Sequence, residues 1–236
     1  MKIILIDERI SQKCEMSLAR LGYNVYKLPP DPDLGEAVSS HPDTLMFASK
    51  GEIMTTADYC DCAAYIFSDL REICPNVRVS FTSDRRSAKY PLDCSLNALL
   101  IGNKLFCKID SASPALLDLA KEKGFDVIHT NQGYPACCVL AFGNSAITAD
   151  DGMANTLTNH GINVLKIKQG HIALPPYEYG FIGGASFVDR DKVYFFGNIN
   201  DHPDGEKICD FIRMAGYLPV SLSDEPLTDL GGAVIP

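Results

Sequence analysis

The sequence predicts an α/β repeat protein in which five strand–strand–helix–strand units surround one axis as a five-bladed propeller. Three observations lead there. One helix-to-strand corner is spelled five times: "LARLGYNVYKL" turns at Gly22, "AKEKGFDVI" at Gly124, "LTNHGINVLKI" at Gly161 and "IRMAGYLPVSL" at Gly216, while "LREICPNVRVSF" carries Cys74 and Pro75 instead. Hairpins precede the helices, two of them with the tight-turn pair Gly-Asn, at Gly102-Asn103 and Gly143-Asn144. Finally, the first unit is one strand short, and "DLGGAVIP" is left over after the last unit is complete. Pairing that segment beside the N-terminal strand completes the defective unit and removes the sheet edges an open ring would expose.

The elements follow in order. "MKIILID" is a buried strand, "ERISQKCEMSLARLG" a helix and "YNVYKL" the closing strand of the first unit. The second unit has the hairpin "DTLMFASKGEIMTTAD", a helix around Ile66, Leu70 and Ile73, and the strand "VRVSFT". The third begins with "NALLIGNKLFCKID". Its helix has Ser113 as N-cap, Pro114 in the first turn, Leu116, Leu119 and Ala120 at helical spacing and Gly124 at C′, before "FDVIHT". The fourth runs "CCVLAFGNSAITAD", a helix capped by Asp150 or Asp151 and "INVLKI". The fifth runs "GFIGGASFVDRDKVYFFGN", a helix from "HPDGEK" with Asp204 as N-cap or first-turn acid, and "YLPVSL". A competing fold, a pair of doubly wound βαβ units starting at "KIILID", lacks the GxGxxG that should follow that strand, and the hairpins break strict βα alternation. One domain over residues 1–236 is expected.

Composition narrows the function classes. The chain has 236 residues, a net charge of −9 and a sequence pI near 5.0, with no basic stripe, so nucleic acid is not an expected partner. No apolar run is long enough to span a bilayer, and "MKIILIDERI" is too short for a signal-peptide core; a cytoplasmic protein with no membrane partner is expected. Nine cysteines, mostly inside apolar runs, read as reduced thiols. The Cys60/Cys62 pair has no partner cluster and reads as packing, and His129, His160 and His171 show no metal spacing. No metal and no cofactor are expected.

The five units taken together resemble the pentein propeller, the fold of the guanidino-group-modifying enzymes: arginine and agmatine deiminases, dimethylarginine dimethylaminohydrolase and amidinotransferases. A ribosome anti-association factor shares the shape without being an enzyme. "GHIALPPYEYGFIGGAS" and the "GGAVIP" ending resemble more narrowly an uncharacterised bacterial family within that superfamily. The resemblance implies a guanidinium-binding role for the Asp of a "PD" before a strand, which here is Asp43. It also implies a nucleophilic cysteine after a C-terminal glycine-rich strand and a histidine opening a middle blade. "DLGGAVIP" has no cysteine, and "QGYPACC" offers Tyr134 and no histidine. Deimination or amidino transfer through the family's cysteine–histidine pair is therefore not expected.

Pseudo-fivefold symmetry indicates where a site would form. The starts of the first strands face one mouth and bring Asp43, Asn97, Tyr134 and Asp229 together as an acidic, cation-seeking opening. Asp43 has a plainer alternative as a turn aspartate capping local amides. Gly183 and Gly184 either let backbone amides approach a ligand or make a tight bend in a crowded strand. His41 is a candidate acid/base or an incidental loop histidine. Cys137 and Cys138, adjacent on a predicted strand, point to opposite faces; one reaches the pocket as a candidate nucleophile, or both are packing. Two functions follow. One is a module that binds a small cationic or polar metabolite without covalent chemistry. The other is a hydrolase or deiminase with relocated groups, Cys137 or Cys138 as nucleophile and His41 or Asp43 as base. Oligomeric state is left open by the residues.

Overall fold

A computed structural model describes residues 2–49 and 51–236; Met1 of the first predicted strand and Lys50 in the predicted hairpin "SKGE" lie outside the described residues. Blade 1 consists of β1 (Lys2–Asp7), α1 (Gln12–Arg20) and β2 (Tyr23–Leu28). Blade 2 has a one-turn helix α2 (Pro42–Leu45), β3 (Met46–Ser49), β4 (Glu52–Thr56), the helices α3 (Ala57–Cys62) and α4 (Ala64–Ile73), and β5 (Arg78–Thr82). Blade 3 comprises β6 (Leu99–Ile101), β7 (Lys104–Cys107), α5 (Pro114–Lys123) and β8 (Asp126–His129). Blade 4 opens with the one-turn helix α6 (Pro135–Cys138), then β9 (Val139–Phe142), β10 (Ser145–Thr148), α7 (Asp151–Asn159) and β11 (Asn163–Lys166). Blade 5 comprises β12 (Ser186–Asp189), β13 (Lys192–Phe195), α8 (Gly205–Met214) and β14 (Leu218–Ser221).

Blades 2 to 5 repeat one topology. The first strand pairs antiparallel with the second, and the second pairs parallel with the third across the helix. The four corner glycines take left-handed backbone, with φ of +88° at Gly22, +70° at Gly124, +80° at Gly161 and +86° at Gly216. That region is open to glycine at little steric cost, which is why the corner is spelled the same way each time. In blade 1, β1 pairs parallel with β2 and its other edge pairs antiparallel with the C-terminal segment through Leu5 and Val234. The bridge has two backbone hydrogen bonds, 2.8 Å from the Leu5 N–H and 3.0 Å from the Val234 N–H. The C-terminal segment thus occupies the first-strand position of blade 1, as the leftover strand predicts.

The core lies in five wedges between neighbouring blades. Ile3 and Leu5 of β1 pack with Met46 and Ile53 of blade 2. Phe47 and Met54 pack with Leu105 and Leu116 of blade 3, and Ile101 and Phe106 with Val139 and Ala146 of blade 4. Leu140 and Ile147 meet Val193 and Phe195 of blade 5, whose Phe187 and Tyr194 return to Ile4 and Ile6 of β1. Successive side chains on a strand point to opposite faces. Each central strand therefore feeds two wedges, which explains why these strands read as continuous apolar runs rather than alternating ones. The circuit of wedges closes, so the architecture is a five-bladed pentein-type propeller.

Local expectations fail where a short segment serves tertiary structure. Asp43, Cys137 and Cys138 stand in one-turn helices, not at strand starts. Pro42 and Pro135 hold the first helical position in each, where fixed φ and a missing N–H are favourable. Ser113 flanks α5 without capping it, because its hydroxyl is directed to Thr82 across blades. Asp204 flanks α8 but accepts the Lys168 N–H at 2.7 Å instead of capping the helix. Ile73 is exposed at the end of α4. Of the Cys60/Cys62 pair, Cys60 is half-buried and packs against the core between blades 1 and 2, while Cys62 is exposed and does not.

Candidate functional site

A buried polar cluster is built from three blades and the C-terminal segment. His41 precedes α2 and is 1% exposed, and Asp43 lies in the first turn of that helix. Cys137 comes from α6, Asp7 ends β1, and Asp229 belongs to the segment that closes the ring; all three are buried. One ligating atom each from His41, Asp43 and Cys137 lie within 4.8 Å of one another. His41 Nε2 is 3.6 Å from Asp7 Oδ2, and Nδ1 is 3.9 Å from Asp229 Oδ1. Neither ring nitrogen has a hydrogen-bond partner, and neither has Asp43 Oδ2.

The electrostatics are those of an acidic pocket short of compensation. Burial, and then the Arg9 guanidinium, push His41 down to about 3, so the imidazole is neutral. Burial first and the charge of Asp229 second hold Asp43 well above the usual carboxylate range. Burial raises Asp229 to about 6, against the pull of two backbone amides. The Cys137 thiol is pushed well up by burial and by Asp43 and Asp229. Arg9 grips Asp7 through Nε at 2.9 Å and Nη2 at 2.6 Å.

Two cavities meet this cluster. One, of about 500 Å3, runs between the first strands of the blades and is lined by Asp43, Phe47, Leu100, Leu140, Phe187 and Val234 among others. The other, of about 460 Å3, opens at the helix-capped mouth. His41, Cys137 and Asp229 line its floor, and Asp93, Gln132, Tyr134, Tyr177, Glu178 and Tyr179 its walls. Among the described residues, no lysine or arginine lines this mouth cavity. Asp93 is buried, accepts the Tyr134 hydroxyl on Oδ2, and leaves Oδ1 without a donor.

The residues singled out by sequence separate into groups. His41, Cys137, Tyr134 and Asp229 line the mouth cavity, and Asp43 and Gly183 the axial one. Asn97 lines neither: its carboxamide accepts the Ala136 N–H at 2.9 Å and donates to Cys137 Sγ at 3.2 Å, so it locks α6 in place. A Cβ on Gly183 would fall 2.3 Å from the Ala136 carbonyl, and one on Gly184 1.9 Å from Asp229 Oδ1. Both glycines therefore serve close packing of the segment before β12 against α6 and Asp229. Cys138 turns away into the wedge between blades 3 and 4. Asp229 accepts the N–H groups of Phe181 at 2.8 Å and Gly231 at 3.0 Å, which also makes it a backbone clamp. Sequence reasoning missed Asp7, Arg9, Asp93, Gln132 and Glu178. Asp7 with Arg9 two residues on, at the end of an apolar strand, was a readable hint of a local ion pair; the others are ordinary loop residues until the fold assembles them.

A protein family described as a family of unknown function, DUF6873, matches residues 5–234. The chain belongs to this family. No curated protein matches the DUF6873 chain in sequence. Solved structures match it in fold. Dimethylarginine dimethylaminohydrolase from Pseudomonas aeruginosa, in complex with citrulline, aligns at a TM-score of 0.57 with 9% identity, over 94% of this chain and 92% of that one. Inosamine-phosphate amidinotransferase from Streptomyces griseus aligns at 0.58 with 12% identity, over 98% and 91%. Agmatine deiminase from C. jejuni aligns at 0.55 with 6% identity, over 94% and 87%. At these identities the likeness is one of fold, and it places the DUF6873 chain among pentein propellers. No helix among the described residues is long and apolar enough to cross a membrane.

Proposed function

We propose that the chain binds a small organic cation, a guanidinium or ammonium compound, in the mouth cavity and holds it without covalent chemistry. The observation that carries this reading is the lining among the described residues: Asp93, Glu178 and Asp229 with no lysine or arginine, and a buried Asp93 Oδ1 that has no donor. A buried acceptor without a donor costs free energy that a ligand N–H recovers. A guanidinium offers five N–H groups in a planar fork suited to carboxylates, and the tyrosines supply faces on which a cation stacks. Two fold neighbours, dimethylarginine dimethylaminohydrolase and agmatine deiminase, are named for guanidinium compounds, which supports the choice of ligand class.

The enzymatic alternative has one observation in its favour, the approach of Cys137, His41 and Asp43. The local charges oppose it. A thiolate at Cys137 would be buried beside two carboxylates, and its neutral neighbour His41 is a weak base at a pKa of about 3. A binding role for the mouth is therefore the better-supported reading. Thermal-shift titration with arginine, agmatine and putrescine, and with glutamate and citrate as anionic controls, tests it. At least one cation should raise the melting temperature, the anions should not, and Asp93→Asn should abolish the shift. Equal responses to cations and anions, or an unchanged response in Asp93→Asn, refute the reading.

A further inference from the structure

The polar cluster beneath the mouth cavity has a composition that a bound organic cation does not explain. His41, Asp43 and Cys137 offer a nitrogen, an oxygen and a sulfur, the three donor types that divalent zinc takes from proteins. His41 and Asp43 come from the start of α2 in blade 2 and Cys137 from α6 in blade 4, and their ligating atoms converge within 4.8 Å. Tetrahedral donors at zinc bond lengths are about 3.3–3.8 Å apart, so side-chain rotations of about 1 Å close the set on an ion.

His41 is the second, independent observation. Its ring is 1% exposed and both nitrogens lack partners, although buried polar atoms are nearly always satisfied. A metal on one nitrogen resolves half of this. The other half is resolved by a carboxylate on the opposite side of the ring, whichever way it is ligated: Asp7 lies 3.6 Å from Nε2 and Asp229 3.9 Å from Nδ1. Carboxylate–histidine–metal relays of this kind orient the imidazole in metal sites. Asn97 donates to Cys137 Sγ at 3.2 Å, the type of bond that supports a metal-bound thiolate. The orphaned Asp43 Oδ2 supplies the third donor.

We propose that His41, Asp43 and Cys137 form a binding site for a single divalent transition-metal ion, zinc first, at the floor of the mouth cavity. Three protein ligands leave one coordination position, and His41 and Cys137 line the cavity from which a water or ligand would reach it. On binding, the Cys137 Sγ–H proton passes to solvent as the sulfur–metal bond forms, and so does the Asp43 proton wherever that carboxyl holds one. The two positive charges of the ion then compensate buried carboxylates that otherwise lack a counter-charge. This proposal does not rest on cation binding by Asp93 and Glu178, because it uses different side chains.

The test uses the full chain, stripped with chelator and dialysed. Zinc is titrated by calorimetry in two buffers of different ionisation enthalpy, and cobalt(II) is added separately as a spectroscopic probe. The expected result is one equivalent per chain, proton release, and a near-ultraviolet thiolate-to-cobalt charge-transfer band. Cys137→Ser should lose the band and His41→Ala should lose at least tenfold in affinity, each with unchanged far-ultraviolet circular dichroism. If His41→Ala does not fold, Asp43→Asn serves in its place with the same expectation. Cys62→Ser, at an exposed thiol, should bind as the parent does. Failure to bind zinc overturns the proposal, as does a band that survives Cys137→Ser or one that vanishes in Cys62→Ser. The organic-cation thermal shift is run on metal-free protein, so either reading can fail while the other stands.

Discussion

Closure of the ring rests on a very short pairing, and that makes it quantitatively testable. Leu5 is fully buried, and both its N–H and its C=O bond to Val234. Removing Gly231 to Pro236 strips away both bonds and leaves two polar groups facing an opened edge, at about 1–3 kcal/mol each. It also removes the buried Val234 side chain, worth about 1.5–3 kcal/mol. The sum, about 4–9 kcal/mol, is comparable with the total stability of a typical domain, about 5–15 kcal/mol. The truncated chain should therefore be largely unfolded or aggregated. Two point variants divide the effect. Val234→Ala removes two methyl-sized groups and should cost about 2 kcal/mol by lost burial. Val234→Pro removes the N–H that reaches Leu5 O and should cost about 1–3 kcal/mol more than a loss of burial alone. Urea unfolding followed by circular dichroism measures all three. A truncated protein with the parent midpoint and slope would show that the bridge does not hold the ring, and the argument for closure would fail.

Other expectations follow from single contacts. Asn97→Ala leaves the Ala136 N–H and the Cys137 thiol unpaired in a buried position, and should lower stability by about 1–3 kcal/mol in the same urea assay. Gly184→Ala places a methyl group 1.9 Å from Asp229 Oδ1; it should destabilise more than Gly22→Ala, where a Cβ meets nothing and only the φ of +88° resists. Cation affinity at the mouth should fall as pH is lowered. Burial raises the Asp93 pKa above its ordinary value, so the carboxylate is ionised above that raised pKa and neutralised as pH drops through it. The loss should set in at a higher pH than for an ordinary aspartate, with Asp229, raised to about 6 in the same cavity, contributing to it; an affinity constant down to pH 4 would contradict the assignment. In native protein a thiol reagent should label Cys62 first and leave the buried Cys137 and Cys138 protected, while denaturation should release all nine thiols.

The fold was legible because its signals are contiguous. A glycine in the left-handed region, a Gly-Asn turn and an alternating or continuous apolar run are each read within about ten residues, and repetition multiplied them. The one-turn helices α2 and α6 escaped because four residues span a single helical turn, too short for an apolar repeat to show. The site was legible only as far as pseudo-symmetry carries it. Symmetry pointed to Asp43, Tyr134 and Asp229 as one mouth; Asp43 lines the axial cavity, and Tyr134 and Asp229 the mouth cavity. It also offered Asn97 as a ligand group, although the carboxamide is consumed in holding α6. Asp93 was invisible because it lies in a loop with no pattern, and its missing donor is a property of three-dimensional neighbours.

The C-terminal glycines show why closure and site are one problem. Gly231 has φ +66°, and a Cβ there would lie 2.4 Å from His41 Cβ. Its carbonyl accepts the Asp43 N–H at 3.2 Å, while its own N–H binds Asp229 Oδ1 at 3.0 Å. Three residues on, Val234 makes the bridge to Leu5. The same segment therefore seals the sheet edge, packs against the histidine and orients two carboxylates of the cluster. The segment from Asp229 to Val234 thus serves both the cluster and the closure of the propeller. The "GGAV" stretch, read from sequence as the strand that closes the ring, is constrained from both sides at once.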